Sequence, residues 1–190
     1  ADIDVLIWCT GFKYDFPWLA SPHNTVNSSG RRVEQLYEQL FNINDPTLSY
    51  LGLPFSVVPF PLFSIQAQLV AAVITGKHIL PSYDEMKKWN IEWEATMESQ
   101  KCLNDSKYHY LGHDHVQWDY SRRLYAMANG NNSTMNSEES RQEKCMLNHL
   151  QSAQEIYAEN RNRKPSKVGY SDAYRSVTYV LDEEQYMDTK

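Results

Sequence analysis

The run Asp4-Val5-Leu6-Ile7-Trp8-Cys9-Thr10-Gly11-Phe12 constrains this chain more than any other stretch. Val5 to Cys9 is apolar, partly β-branched and aromatic, and it stops at Thr-Gly. That pattern predicts a buried parallel strand ending in a tight turn. A parallel strand needs neighbours supplied by crossover units, so the class implied is α/β. In open α/β sheets, ligands bind outside the carboxyl ends of the strands, where Thr10 and Gly11 fall. Gly11 tolerates positive φ and lets backbone approach closely. From the residues alone, such a turn can equally well touch no ligand.

The rest of the chain is read from periodicity and breakers. Lys13 to Gly30 is rich in Pro, Asn, Ser and Gly and reads as a loop. Val33, Leu36, Tyr37 and Leu40 recur at helical spacing, which predicts a short helix over 31–41. Leu48 to Leu53 reads as a short strand and Val57-Val58 as a strand stub before Pro59. A helix is predicted over 62–75, stopped by Gly76. It is apolar nearly all round, so it should be buried. Its polar residues Ser64, Gln66 and Gln68 sit near its start, which suits a helix N-terminus facing a polar ligand. Gln66 either touches that ligand or satisfies backbone groups at the helix start.

Pro81 and the capping box Ser82-Tyr83-Asp84-Glu85 open a second helix, with Met86, Trp89, Trp93 and Met97 on one apolar face. Another helix, a long one, is predicted from Asn136 or Ser137 to about Asn160, and a short strand at 177–181. His109, His113, Asp114 and His115 invite a metal site. The spacing fits poorly, though, and no second ligand cluster exists, so no metal is assigned.

Bulk properties narrow the function. The 190 residues are 42% hydrophobic and 13% aromatic, which can build a core and is unlike a disordered chain. The formal net charge of −6 argues against nucleic acid as a partner. No run approaches the roughly 18–20 apolar residues of a transmembrane span. Three scattered cysteines, Cys9, Cys102 and Cys145, form no disulfide framework or zinc motif. No signal peptide is visible, and a cytoplasmic or ER-associated location is expected ahead of secretion.

Several of these stretches also resemble one family. Asp4 to Leu19 (DVLIWCTGFKYDFPWL), PTLSYLGL from Pro46, PFPLFSIQ over 59–66 and GKHILPSYDEM over 76–86 are similar, in order and spacing, to segments of flavin-containing monooxygenases. Tyr108-His109-Tyr110-Leu111-Gly112 and Gln117-Trp118-Asp119-Tyr120 resemble a later block of the same family. The resemblance reads the histidine segment as the entrance to a helix over 116–127. It also makes the 31–41 region hairpin-like, against the helical spacing.

The resemblance implies the C-terminal part of a flavoprotein with two dinucleotide-binding, Rossmann-like domains, largely helical after the first strands. Residues 1–81 would end the FAD/NADP-binding α/β core, and 82–190 would be a helical extension packed on the FAD domain. The chain holds no GxGxxG, and in the family both glycine loops lie upstream of the Thr-Gly strand. The 190 residues alone are therefore expected to bind no FAD and to be inactive.

The resemblance further implies FAD and NADP(H) as cofactors. A small nucleophilic amine or sulfide and O2 would be the other reactants, with oxygen passed through a C4a-hydroperoxyflavin. Thr10, Gly11, Ser64 and Gln66 are the implied cofactor-binding residues, and no side chain is nominated as catalytic. Related Baeyer–Villiger or N-hydroxylating flavoproteins, and a non-catalytic remnant or binding module, are the alternatives.

Overall fold

The structure, a computed structural model, describes residues 4–9, 11–99, 107–112 and 116–130, with residues 148, 150–156 and 158 beyond them. Three helices dominate: α1 (Pro59–Ile74), α2 (Tyr83–Ser99) and α3 (Val116–Asn129). Residues 150–156 are also helical, inside the predicted long helix. The predicted strand at 177–181 lies outside the described residues.

The stretch that opened the sequence reading is not a strand here. Residues 4–9 have no regular structure, and Val5, Leu6, Ile7 and Trp8 are 66–78% exposed. The physical reason is the missing ladder. Parallel strands are held by their neighbours, and the only sheet among the described residues is a two-stranded hairpin elsewhere. The chain first ties in at Tyr14, whose N–H donates to the Gly30 carbonyl at 2.7 Å.

Residues 31–42 also depart from the predicted helix. They form an antiparallel hairpin, β1 (Leu36–Tyr37) and β2 (Phe41–Asn42), with Tyr37 opposite Phe41. The helical spacing had picked the right residues, since Val33, Leu36, Tyr37 and Leu40 are all buried. A different element buries them. Glu38 and Gln39 at the tip both have φ 51°, and the Leu40 N–H returns to the Tyr37 carbonyl at 3.0 Å. Two consecutive left-handed residues make a turn that suits a hairpin. They cost roughly 1–2 kcal/mol each in a residue with a Cβ, so side chains from elsewhere must hold them. The predicted strand at 48–53 reduces to one bridge, Phe41 to Ser49, and Val58 precedes α1 instead of forming a strand stub.

The helices follow local rules. Pro59 starts α1 three residues before the predicted start, because proline at the first helical position loses no hydrogen bond. Gly76 ends it with φ 72°. The capping box of α2 is formed: Ser82 N–H donates to Glu85 Oε2 at 2.9 Å, and Glu85 N–H reaches Ser82 Oγ at 3.5 Å. The Ser82 bonds hold the Glu85 carboxyl below its usual range. Met86 and Met97 are buried, and Trp89 stacks on Trp93 with centroids 5.5 Å apart.

The main core lies between α1 and α3. Leu62, Ile65 and Leu69 of α1 meet Trp118 and Leu124 of α3, with Leu40, Phe41 and Ile43 of the hairpin closing it. α1 is therefore not buried all round. Its far face, with Phe60 84% and Ile74 79% exposed, has no packing partner among the described residues.

Candidate functional site

The residues predicted to hold a cofactor do not form one cluster in the described structure. Thr10 lies outside the described residues. Gly11 is exposed with φ 79°, and nothing stands within 4 Å of where a Cβ would be. Ser64 is on the exposed face of α1, with its Oγ accepting from Gln68 Nε2 at 3.4 Å. Gln66, two residues on and so about 200° around the helix, is fully buried on the opposite face.

Gln66 is an internal connector. Its Oε1 accepts from the Gly52 N–H at 3.0 Å, and its Nε2 donates to the Tyr120 hydroxyl at 3.2 Å. Tyr120 in turn donates to the Glu38 carbonyl at 2.6 Å. Gly52 has φ 83°, and its absent side chain leaves room for the Phe63 ring at 3.4 Å. Its amide thus meets one backbone N–H outside α1 and one side-chain hydroxyl of α3.

Glu38 completes the network. Its carboxylate, 2% exposed, receives Arg123 Nε at 3.0 Å and the Arg123 guanidinium again at 2.7 Å. Burial raises the Glu38 pKa and the Arg123 hydrogen bonds pull against that shift. The two-pronged geometry is that of a carboxylate with a guanidinium.

The start of α1 has a distinct chemistry. The first turn of a helix normally offers several free N–H groups. Here Pro59 and Pro61 have none, and the Val58 N–H is held by Gln117 Oε1 at 2.9 Å. Phe60 supplies the single N–H of that turn with no partner among the described residues. No acidic residue sits in the turn to offset the helix dipole. One donor with a partial positive charge suits one acceptor atom, such as a ring carbonyl. It does not suit a phosphate, which takes several donors.

The histidine segment holds no metal cluster among the described residues. His113, Asp114 and His115 lie outside them. His109 is buried and holds the hairpin region at two points, one backbone and one side-chain: Nε2 accepts from the Val33 N–H at 3.0 Å, and Nδ1 lies 2.6 Å from Gln39 Oε1. Those partners assign the proton to Nδ1. Burial, with Arg32 nearby, lowers its pKa to about 3, so the ring is neutral.

Sequence reasoning missed Gln117, Tyr120, Arg123 and Glu38. The signal was present for two of them. Gln117, Tyr120 and Ser121 interrupt the buried face of α3 at helical spacing, and polar residues on a buried face must find partners.

Residues 1–136 match the family described as flavin-binding monooxygenase-like, and the chain belongs to that family. It is 44% identical over 96 residues to Flavin-containing monooxygenase FMO GS-OX1 of Arabidopsis thaliana, covering 50% of this chain and 21% of that protein. It is 32% identical over 148 residues to FMO GS-OX-like 5 of the same plant, covering 77% of this chain and 31% of that one. The structure of S-allyl-L-cysteine S-oxygenase from Allium sativum superposes with a TM-score of 0.58 at 27% identity, over 87% of this chain and 35% of that one. The chain thus spans a fifth to a third of the length of these relatives.

Proposed function

We propose that the protein carrying this chain is an FAD- and NADPH-dependent monooxygenase that transfers one atom of O2 to the sulfur or nitrogen of a small molecule. The observation that supports it most is the family match over residues 1–136, together with a neighbour whose name is that of an S-oxygenase. That neighbour favours a thioether sulfur over an amine nitrogen as the acceptor.

The flavin, when bound and reduced, supplies the activation of oxygen. This chain supplies binding and placement. The α1 start would face the ring through the Phe60 N–H and the helix dipole, with Ser64 on the same exposed side. Thr10 and Gly11 would form the crossing between the two cofactor domains, where Gly11 leaves space for a close approach. Gln66 would act on the cofactor by holding α1, because its amide is engaged inside the protein. The diphosphate would be bound by segments other than those described here.

The test is turnover. The purified flavoprotein carrying this chain should oxidise NADPH in the presence of S-allyl-L-cysteine and yield its sulfoxide, detected by mass spectrometry. N,N-dimethylaniline serves as the amine comparison. A protein that retains FAD but oxygenates neither compound, while forming an ester or lactone from a ketone, would move the assignment to Baeyer–Villiger chemistry.

A further inference from the structure

Three polar side chains on successive turns of α3 hold α1 and the hairpin tip. Gln117 accepts the Val58 N–H at 2.9 Å and so caps α1 from outside, in place of a capping side chain on Val58 itself. Tyr120 accepts from Gln66 in the second turn of α1 and donates to the Glu38 carbonyl. Arg123 grips the Glu38 carboxylate. Gln117 is 3% and Tyr120 1% exposed, so neither bond competes with water.

A helix start with two prolines and an apolar N-cap cannot fix itself by local capping. Of the three hydrogen bonds that tie Val58 and Gln66 to the body of the protein, two go to α3 and the third comes from the Gly52 N–H. We propose that Gln117 and Tyr120 are positioning residues of the flavin site, which act by setting where the α1 start stands. Arg123 and Glu38 anchor α3 to the hairpin and give the pair a fixed base. This inference rests on the flavin reading above.

Bonds buried in this way resist small shifts. A donor held to one position within a few tenths of an ångström is what electrostatic preorganisation requires. Loss of the Gln117 bond frees the α1 start without touching any group that would meet the cofactor. Loss of the Tyr120 hydroxyl leaves the Gln66 amide and the Glu38 carbonyl without their partner.

The experiment compares wild type with Gln117→Leu, Gln117→Glu and Tyr120→Phe in the flavoprotein carrying this chain. FAD affinity, flavin midpoint potential and amide exchange over residues 58–66 are read with and without FAD. Gln117→Leu and Tyr120→Phe should speed exchange over 58–66, lower FAD affinity about tenfold, as one buried hydrogen bond would, and shift the potential. Gln117→Glu keeps an acceptor for Val58 and, with its buried carboxyl protonated, should lose less FAD affinity than Gln117→Leu. Faster exchange with unchanged affinity and potential would overturn the positioning role and leave a purely structural one. A wild-type protein that binds no FAD would overturn the flavin reading and this inference with it.

Discussion

Gln66 donates to the hydroxyl of Tyr120 across 3.2 Å, with both side chains sealed from water. The same amide takes the Gly52 N–H. Gln66→Leu keeps most of the volume and removes both bonds. It leaves the Gly52 N–H without its acceptor, which should cost about 1–3 kcal/mol. Chemical denaturation measures this directly. A loss below about 0.5 kcal/mol, within the range of neutral surface changes, would mean that Gly52 has another acceptor.

His109 makes stability depend on pH. Its ordinary pKa of 6.5 falls to about 3 in the fold. Between those values the unfolded chain binds a proton that the folded chain refuses, so stability rises with pH across the window. The contribution is complete above pH 6.5 and is lost as pH falls toward 3. It is worth on the order of 5 kcal/mol by the bottom of the window. Denaturation midpoints taken at steps from pH 7.5 to 4 should fall steadily. In His109→Gln the slope should flatten, and an unchanged slope would assign the effect to other groups.

Arg123 neutralises a carboxylate that is 2% exposed, while its own side chain is 41% exposed. Arg123→Met strands the Glu38 charge. Breaking a fully buried pair costs roughly 3–5 kcal/mol. Partial solvation of the guanidinium lowers the expected loss to about 2–3 kcal/mol. The double variant Glu38→Gln with Arg123→Met should recover part of it, because no buried charge remains. A double variant as unstable as the sum of the two singles would refute the pairing energy.

Gly112 is a packing requirement. A Cβ there would stand 2.6 Å from Ser56 Oγ and 2.8 Å from the Tyr110 ring. Gly112→Ala should destabilise by about 1–3 kcal/mol, the usual cost of overpacking. Ser56 has φ 59°, so Ser56→Gly removes the clashing oxygen and relieves the backbone. Ser56→Gly combined with Gly112→Ala should be more stable than Gly112→Ala alone, as read by thermal unfolding.

The sequence by itself determined the helices. α1 and α2 were legible within a few residues because proline at the start, glycine at the stop, the Ser82–Glu85 box and apolar spacing act within a turn or two of the chain, and α3 through the family resemblance of its Gln117–Tyr120 motif. Serial motifs from Asp4 to Tyr120 also pointed to the family that residues 1–136 match.

Only the tertiary structure decided the rest. Val5 to Cys9 has strand composition, but a strand exists only where another strand completes its ladder, and none among the described residues does. Val33 to Leu40 has helical spacing. Yet Arg123, Tyr120 and His109 reach back some seventy to eighty-five positions to hold Glu38 and Gln39 in a left-handed turn. Ser64 and Gln66, read together as one polar helix start, point to opposite sides, and Gln66 is spoken for by Gly52 and Tyr120. Local codes name the elements. Buried polar bonds between distant residues choose which way they face, because a buried donor or acceptor must find its partner wherever the fold puts it.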